Sequence, residues 1–151
     1  NPELTPINII PIIEGAMNYL CSRSSKKVIY DINLPKEEEI ILPINQCLLE
    51  WVLENLSKNA IDAMGGIGTL SLEMSQDNKR VIIDISDTGK GMQKKEFKKI
   101  FEAGYTTKER GWGMGLSLAK RIIEEYHHGK IFVKQSVIGK GTTFRIMLKK
   151  L

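Results

Sequence analysis

The feature that most constrains this fold is the segment QCLLEWVLENLSKNAIDAM, which runs from Gln46 to Met64. Its apolar residues recur every three or four positions, and this spacing predicts an amphipathic α-helix. The pair Gly65–Gly66 follows at once and predicts the end of the helix. A helix with one apolar face is stable only when that face is buried, so the rest of the chain has to supply a second layer.

Segments with strand-like alternation supply this second layer. Apolar residues occupy every other position in KVIYDINL (27–34), GTLSLEMS (68–75), RVIIDISD (80–87), KIFVKQSV (130–137) and TTFRIMLK (142–149). EIILPI (39–44) predicts a further short strand, and residues 7–20 and 116–126 predict two more helices. Turn residues at 77–78 and 139–141 predict two hairpins. The pattern predicts an α+β fold, built as a two-layer sandwich.

Length and composition exclude several classes of protein. The chain has 151 residues, of which 42% are hydrophobic and 26% charged, as expected for a single domain over residues 1–151. Its apolar runs are too short to cross a membrane, and no known nucleic-acid-binding motif accompanies its lysine-rich stretches. We therefore expect no nucleic acid partner and no direct membrane contact by this chain.

The two cysteines, Cys21 and Cys47, lack the CxxC spacing of a metal or redox site. We expect both to be reduced core thiols of a cytoplasmic protein. The first residue is not methionine, so we interpret the chain as part of a longer parent, which can itself be anchored in the inner membrane.

One segment, from Thr88 to Met114, departs from these patterns. It is rich in glycine, lysine and threonine, and only residues 94–101 predict a short helix. A long segment of this kind inside a compact domain is typical of a lid or a binding loop.

Two asparagines on the long helix lie where the pattern favours apolar residues. At about 100° of rotation per residue, Asn59 projects within about 20° of Val52, inside the buried stripe, and Asn55 projects to its edge. A buried amide must find hydrogen-bond partners, and two amides four positions apart share one site. We interpret the pair as the floor of a pocket, where an amide oxygen is a suitable ligand for Mg²⁺.

Asp87 continues the register of the apolar residues in Val81–Ile85, which predicts a carboxylate on the core side of a strand end. Such an aspartate either caps its own turn or accepts a hydrogen bond from a ligand amino group, such as that of adenine. Gly89 and Gly91 follow at a spacing that lets the backbone approach a flat ligand. The residues alone leave both interpretations open.

Gly111, Gly113 and Gly115 precede the third predicted helix. They fit neither the GxxxxGK[ST] pattern of a Walker loop nor the GxGxxG pattern of a dinucleotide fold. Glycines before a helix leave its first N–H groups open to an anion, and Thr106–Lys108 upstream adds hydroxyls and a cation.

Taken together and in this order, these segments resemble a known family. NLSKNAIDAM, DTGKGM, IFEAGYTTK with GWGMGLSLAK, and GKGTTF are similar to the sequence boxes of the catalytic ATP-binding domain of bacterial two-component sensor histidine kinases. These belong to the GHKL superfamily of gyrase, mismatch-repair and chaperone ATPases. The resemblance implies a mixed, mostly antiparallel sheet of about five strands, covered on one face by about three helices, with an ATP lid at about 88–114.

The resemblance also implies roles for individual residues. Asn59 would bind Mg²⁺ with Asn55 beside it, Asp87 would recognise the adenine amino group, and Thr142 would hold the adenine edge through water. Lys108 would contact a phosphate, and it joins the two asparagines as a catalytic position. The other nucleotide-binding positions that the resemblance implies are Gly89, Gly91, Thr107, Gly111, Gly113, Met114, Gly115 and Leu116.

The implied function is that of a protein-histidine kinase core. It would bind Mg·ATP and donate the γ-phosphate to a histidine on a separate dimerisation domain upstream, which then serves a response regulator. Related ATPases that hydrolyse ATP by themselves resemble one another in having a Glu four residues before the Mg²⁺-binding asparagine. This chain has Asn55 at that position. A stand-alone ATPase or an anti-sigma-factor serine kinase is therefore disfavoured but stays open, as does a non-catalytic nucleotide-binding module.

Three further aromatic or basic residues have simpler expected roles. Phe101 is expected to pack in the lid rather than to react. His127 and His128 end a helix, where a cation is favourable, and we interpret neither as the phosphoacceptor. We expect the chain alone to bind ATP without autophosphorylating.

Overall fold

A mixed sheet forms one layer of the fold, and helices cover one of its faces. We describe residues 2–35, 38–105 and 115–151 of a computed structural model. Within these residues the strands are β1 (Thr5–Asn8), β2 (Val28–Asn33), β3 (Ile41–Ile44), β4 (Gly68–Gln76), β5 (Arg80–Ser86), β6 (Lys130–Val137) and β7 (Gly141–Lys149), and the α-helices are α1 (Ile9–Arg23), α2 (Gln46–Ala63) and α3 (Gly115–Arg121).

The main sheet has five strands in the order β2-β4-β5-β7-β6. Strands β2 and β4 run parallel, and the other neighbours run antiparallel. Alternate residues of the inner strands are buried beneath the helices, among them Leu72, Ile83 and Ile146, each 0% exposed. The predicted α+β class is confirmed.

The N-terminal segment differs from the prediction. A helix was predicted from residue 7, but Thr5–Asn8 is a strand that pairs antiparallel with Ile41–Ile44 in a separate two-stranded sheet. Asn8 then begins α1, because its Oδ1 accepts the N–H of Ile10 at 3.2 Å and that of Ile40 at 3.1 Å. The predicted strand at 39–44 therefore exists, but it lies outside the main sheet.

Two other helical segments are more irregular than predicted. The short helix expected at 94–101 is two 3₁₀ turns, Lys94–Glu96 and Lys99–Phe101. The helix expected at 116–126 is α3 followed by a π-helical turn, Ile122–Tyr126. No helix in the described ranges combines the length and the apolar character that a membrane span requires.

Cys21 and Cys47 are exposed, so the expectation of core thiols is wrong. Cys47 stands two positions before Leu49, about 200° away round the helix, and Leu49 takes the buried side. Cys21 directly follows the buried Leu20 and lies beyond the edge of the apolar stripe of α1.

Strand β6 contains a β-bulge between Val133 and Gln135. Val133 pairs with Phe144 and Gln135 pairs with Thr143, so Lys134 is the additional residue. A bulge of this kind changes which face the following side chains occupy.

Candidate functional site

Helix α2 aligns positions 55, 59 and 63 along one side. Asn55 is 8% exposed and Asn59 is half-buried, so the predicted order of their burial is wrong. The start of α3 packs against Asn55 and closes that edge of α2, which a projection of α2 alone does not include.

Asn55 and Gly115 are in close contact. A Cβ atom at Gly115 would lie 2.9 Å from Oδ1 and 3.3 Å from Nδ2 of Asn55, so the absence of a side chain makes room for the amide. That amide makes no hydrogen bond within the described residues, although none of its polar atoms is fully enclosed. The polar atoms of this amide are therefore accessible to solvent or to a ligand, although the residue as a whole is 8% exposed.

Asp87 lies on the inner face just after β5 and is 8% exposed. Its Oδ1 accepts the N–H of Gly89 at 2.8 Å and that of Thr142 at 3.3 Å. Within the described residues no donor contacts Oδ2. Burial raises the pKa of the Asp87 carboxyl, while the two amide donors lower it. The carboxylate thus caps its own turn with one oxygen, as the first interpretation of the sequence predicted, and its other oxygen is left to accept from a donor.

The loop after Asp87 is fixed to α2 and to the β6–β7 turn. A Cβ at Gly89 would lie 2.5 Å from the carbonyl oxygen of Ala63, and the N–H of Lys90 donates to that oxygen at 3.0 Å. Gly91 has φ +70°, and a Cβ there would collide with the carbonyl oxygen of Val137. Both glycines are therefore required for close approach of protein backbone.

Thr142 is 5% exposed and belongs to a hydroxyl network that the sequence did not reveal. Its Oγ1 lies 2.7 Å from Oγ of Ser136, which also donates to the carbonyl oxygen of Gly141 at 3.1 Å. Ser136 accepts the N–H of Met92 at 2.8 Å. In simple alternation Ser136 would share the open face of the sheet with Lys134, so the β6 pattern gave no signal for it.

His127 is buried at 4% exposure and connects two helices. Its Nδ1 pairs with the carbonyl oxygen of Ile122 at 2.9 Å, and its Nε2 accepts the N–H of Asn45 at 3.1 Å. Nε2 can accept only in the neutral ring with the proton on Nδ1. Burial lowers the pKa of His127, so the interpretation of this residue as a helix-end cation is wrong. His128 is exposed, with φ +57°.

The other predicted residues fall into two groups. Phe101 packs edge-on against Phe144, with ring centroids 6.1 Å apart, as expected of a packing residue. Leu116 is half-buried in the first turn of α3. Five predicted positions lie outside the described residues: Thr107, Lys108, Gly111, Gly113 and Met114.

The ligands that this site offers to a metal ion are amide oxygens. In the part of the chain that is described, no group of three His, Cys, Asp or Glu residues is arranged to hold a metal ion. The amides of Asn55 and Asn59 are neutral oxygen donors, a type that Mg²⁺ accepts alongside phosphate and water.

Comparison with known proteins identifies the family. Residues 45–151 match the family described as "Histidine kinase-, DNA gyrase B-, and HSP90-like ATPase", which is more than half of the chain. The chain belongs to this family.

Relatives within the family are sensor kinases. The chain is 36% identical over 146 residues to the sensor histidine kinase ZraS of Salmonella typhimurium, a match covering 96% of this chain and 31% of that protein. It is 44% identical over 101 residues to sporulation kinase E of Bacillus subtilis, covering 66% of this chain and 13% of the relative. The chain therefore spans less than a third of the length of these relatives.

Solved structures give the same fold. The catalytic domain of the histidine kinase ThkA has a TM-score of 0.84 and 26% identity, covering 99% of this chain and 97% of that one. The mycobacterial sensor histidine kinase MprB has the same TM-score at 19% identity, which is a likeness of fold. The predicted family is confirmed: the homologues are sensor histidine kinases, and the fold is that of their catalytic domains.

Proposed function

We propose that this domain binds Mg·ATP and donates the γ-phosphate to a histidine on a separate dimerisation domain, as the kinase core of a two-component sensor. Membership of the ATPase family and the sensor kinases among its relatives support this proposal. The response regulator is then an indirect partner, because it receives the phosphoryl group from that histidine.

The observation that carries the proposal is the arrangement of Asp87. Oδ1 is occupied by two backbone N–H groups, at 2.8 Å and 3.3 Å, which fix the plane of the carboxylate. Oδ2 is left as an acceptor at a site that is 8% exposed. An exocyclic amino group, as on adenine, is a donor that suits this position.

The length of the site along α2 supports a nucleoside triphosphate. Position 63 touches the loop that follows Asp87, and position 55 touches the start of α3 at Gly115. Eight residues of helix separate them by about 12 Å. The base would lie at the Asp87 end, and the phosphates would extend along α2 towards Gly115.

The residues at the phosphate end supply binding and orientation. Asn59 would hold Mg²⁺, with the amide of Asn55 next to it, and the bound metal would neutralise phosphate charge in the transfer. The N-terminal turn of α3, beginning at Gly115, would present backbone N–H groups to phosphate oxygens. Thr107, Lys108, Gly111, Gly113, Met114 and Leu116 remain candidate phosphate contacts.

The acceptor histidine would come from another domain. His127 is buried, neutral and hydrogen-bonded through both ring nitrogens, so it cannot act as a nucleophile without leaving its place. We therefore expect this chain alone to bind nucleotide without phosphorylating itself.

Isothermal titration calorimetry with Asn59→Ala tests the proposal. We expect Mg·ATP binding by the variant to fall to the level measured for ATP with a chelator. Asn33→Ala, an exposed asparagine on strand β2, is the matched control and should bind as the unmodified chain does. Unchanged affinity of Asn59→Ala for Mg·ATP would contradict the metal role.

Turnover separates this function from the alternatives. A stand-alone ATPase or serine kinase would turn over ATP in isolation at about 1 s⁻¹ or more. A chain that Mg·ATP stabilises in a thermal-shift assay but that transfers no phosphate to a dimerisation domain would be the non-catalytic nucleotide-binding module, and a chain that Mg·ATP does not stabilise would contradict nucleotide binding altogether.

A further inference from the structure

Ser136 uses all of its hydrogen-bonding capacity beside the proposed base site. A serine hydroxyl has one proton to donate and two lone pairs to accept with. The carbonyl oxygen of Gly141, at 3.1 Å, can only accept, so we assign the proton of Ser136 to it, and one lone pair of Ser136 takes the N–H of Met92 at 2.8 Å. The contact left, to Oγ1 of Thr142 at 2.7 Å, then requires Thr142 to donate.

The bulge in β6 is what brings Ser136 to this position. Lys134 reaches Asp84 on the open face of the sheet, with Nζ and Oδ2 3.7 Å apart. Gln135 pairs with Thr143, whose hydroxyl bonds Ser86 on that same face. Two successive residues thus face outward, and Ser136 turns inward opposite Thr142.

We propose that Ser136 is a specificity-determining positioning residue, which commits the proton of Thr142 to itself and so makes the Thr142 hydroxyl an acceptor towards the nucleotide base. This inference rests on the proposed function. Two acceptors then stand at neighbouring strand ends, Oδ2 of Asp87 and Oγ1 of Thr142, with the N–H of Thr142 already bound to Asp87.

An all-acceptor edge discriminates between bases by simple chemistry. The 6-amino group of adenine has two N–H donors, one for the carboxylate and one for the hydroxyl, directly or through water. The 6-carbonyl of guanine would instead face two acceptors with no proton between them. Buried polar groups left unpaired are costly, so the hydroxyl direction adds to the preference for adenine.

The test compares two ligands that differ only in the amino group. Mg·ATP and the Mg²⁺ complex of purine riboside triphosphate, in which hydrogen replaces the 6-amino group, are titrated by calorimetry. The proteins are the unmodified chain, Ser136→Ala and Ser136→Thr, which restores a hydroxyl. Ser86→Ala is the control, because it removes a matched serine–threonine pair, 2.7 Å apart, on the opposite face.

We expect Ser136→Ala to weaken ATP binding about three- to tenfold, the effect of one neutral hydrogen bond, while purine riboside triphosphate binding stays unchanged. The preference is measured as the ratio of the affinity for ATP to that for purine riboside triphosphate. Ser136→Thr should recover at least half of the preference that Ser136→Ala loses, and Ser86→Ala should leave the ratio unchanged. Thermal unfolding confirms that each variant is folded.

If Ser136→Ala weakens the binding of both ligands equally, the role of Ser136 is purely structural and the inference is overturned. The same conclusion follows if the ratio of the two affinities does not change for any other reason. An unmodified chain that binds both ligands equally would overturn the proposed adenine site itself, so the two failures are distinguishable.

Discussion

Asp87→Asn is the most informative single substitution, because the two carboxylate oxygens have different partners. Oδ1 accepts two backbone N–H groups, so the asparagine must keep its one oxygen there. Its NH₂ group then replaces Oδ2 and meets the nucleotide as a donor instead of an acceptor. The opposite amide orientation would restore the contact to adenine only by turning NH₂ towards the N–H groups of Gly89 and Thr142.

The size of the effect follows from the bond that is lost. A hydrogen bond to a charged acceptor contributes about 1.5–3 kcal/mol, so the affinity for ATP should fall about 10- to 150-fold. A base with a carbonyl at position 6 would gain a neutral bond of about 1 kcal/mol, so GTP should bind about fivefold more tightly. The preference for ATP over GTP should therefore be lost.

The same substitution should not destabilise the unliganded domain. Burial raises the pKa of Asp87, so the folded state binds a proton more tightly than the unfolded state does. Stability therefore falls as the pH rises from about 3.9 through the folded-state pKa, and the penalty persists at neutral pH. Asparagine has no such penalty, and its oxygen retains both N–H partners.

Calorimetry with ATP and GTP, combined with urea unfolding at neutral pH, measures both effects. We expect weaker ATP binding together with an equal or higher free energy of unfolding. A variant that retains its preference for ATP would remove Asp87 from base recognition. A variant that loses more than about 1 kcal/mol of stability would refute the account of the buried charge.

Three further substitutions test other contacts. The stability of the unmodified chain should decline as the pH falls below about 6.5, because His127 is protonated at a higher pH in the unfolded chain than in the folded chain. Urea unfolding of His127→Gln at about pH 5 and pH 7.5 should show a smaller decline. Gly115→Ala should change the free energy of unfolding by less than about 1 kcal/mol but weaken Mg·ATP binding about tenfold in calorimetry, since its Cβ displaces the amide of Asn55. Arg145→Met should lower the free energy of unfolding by about 1–2 kcal/mol, because it removes two hydrogen bonds to Asp84, at 2.8 Å and 2.9 Å. An unchanged urea midpoint would show that this pair does not stabilise the fold.

Much of the fold follows from periodicity in the sequence. The main strands and α2 were predicted because each buries one face, and a buried face leaves a repeat of two or of about 3.6 residues. Asp87 was found for the same reason, as a polar residue in an apolar register. Strand β1 was missed because TPIN pairs in a separate sheet whose partner, Ile41–Ile44, is distant in sequence.

The parts that were missed depend on contacts between elements. The burial of Asn55 over Asn59 is set by α3, which no projection of α2 contains. The position of His127 at the end of a helix suggests a cation. Only the structure shows that the N–H of Asn45, distant in sequence, donates to its ring. Ser136 lies behind a bulge, and a one-residue change of register cannot be read from the alternation of a single strand.

The bulge at Lys134 has a consequence for the evolution of this domain. A protein strand normally tolerates side-chain replacement more readily than a change of length, because loss of one residue exchanges inside for outside all along the strand. Here the additional residue divides β6 into a half that packs the core and a half that carries Ser136. A single-codon deletion at Lys134 would instead remove the bulge and restore regular alternation, leaving Ile131 and Val133 in the core and Ser136 inward opposite Thr142, with only the contact of Lys134 to Asp84 lost. The bulge thus lets β6 lose this one residue without the exchange of faces that the same loss would cause in a regular strand.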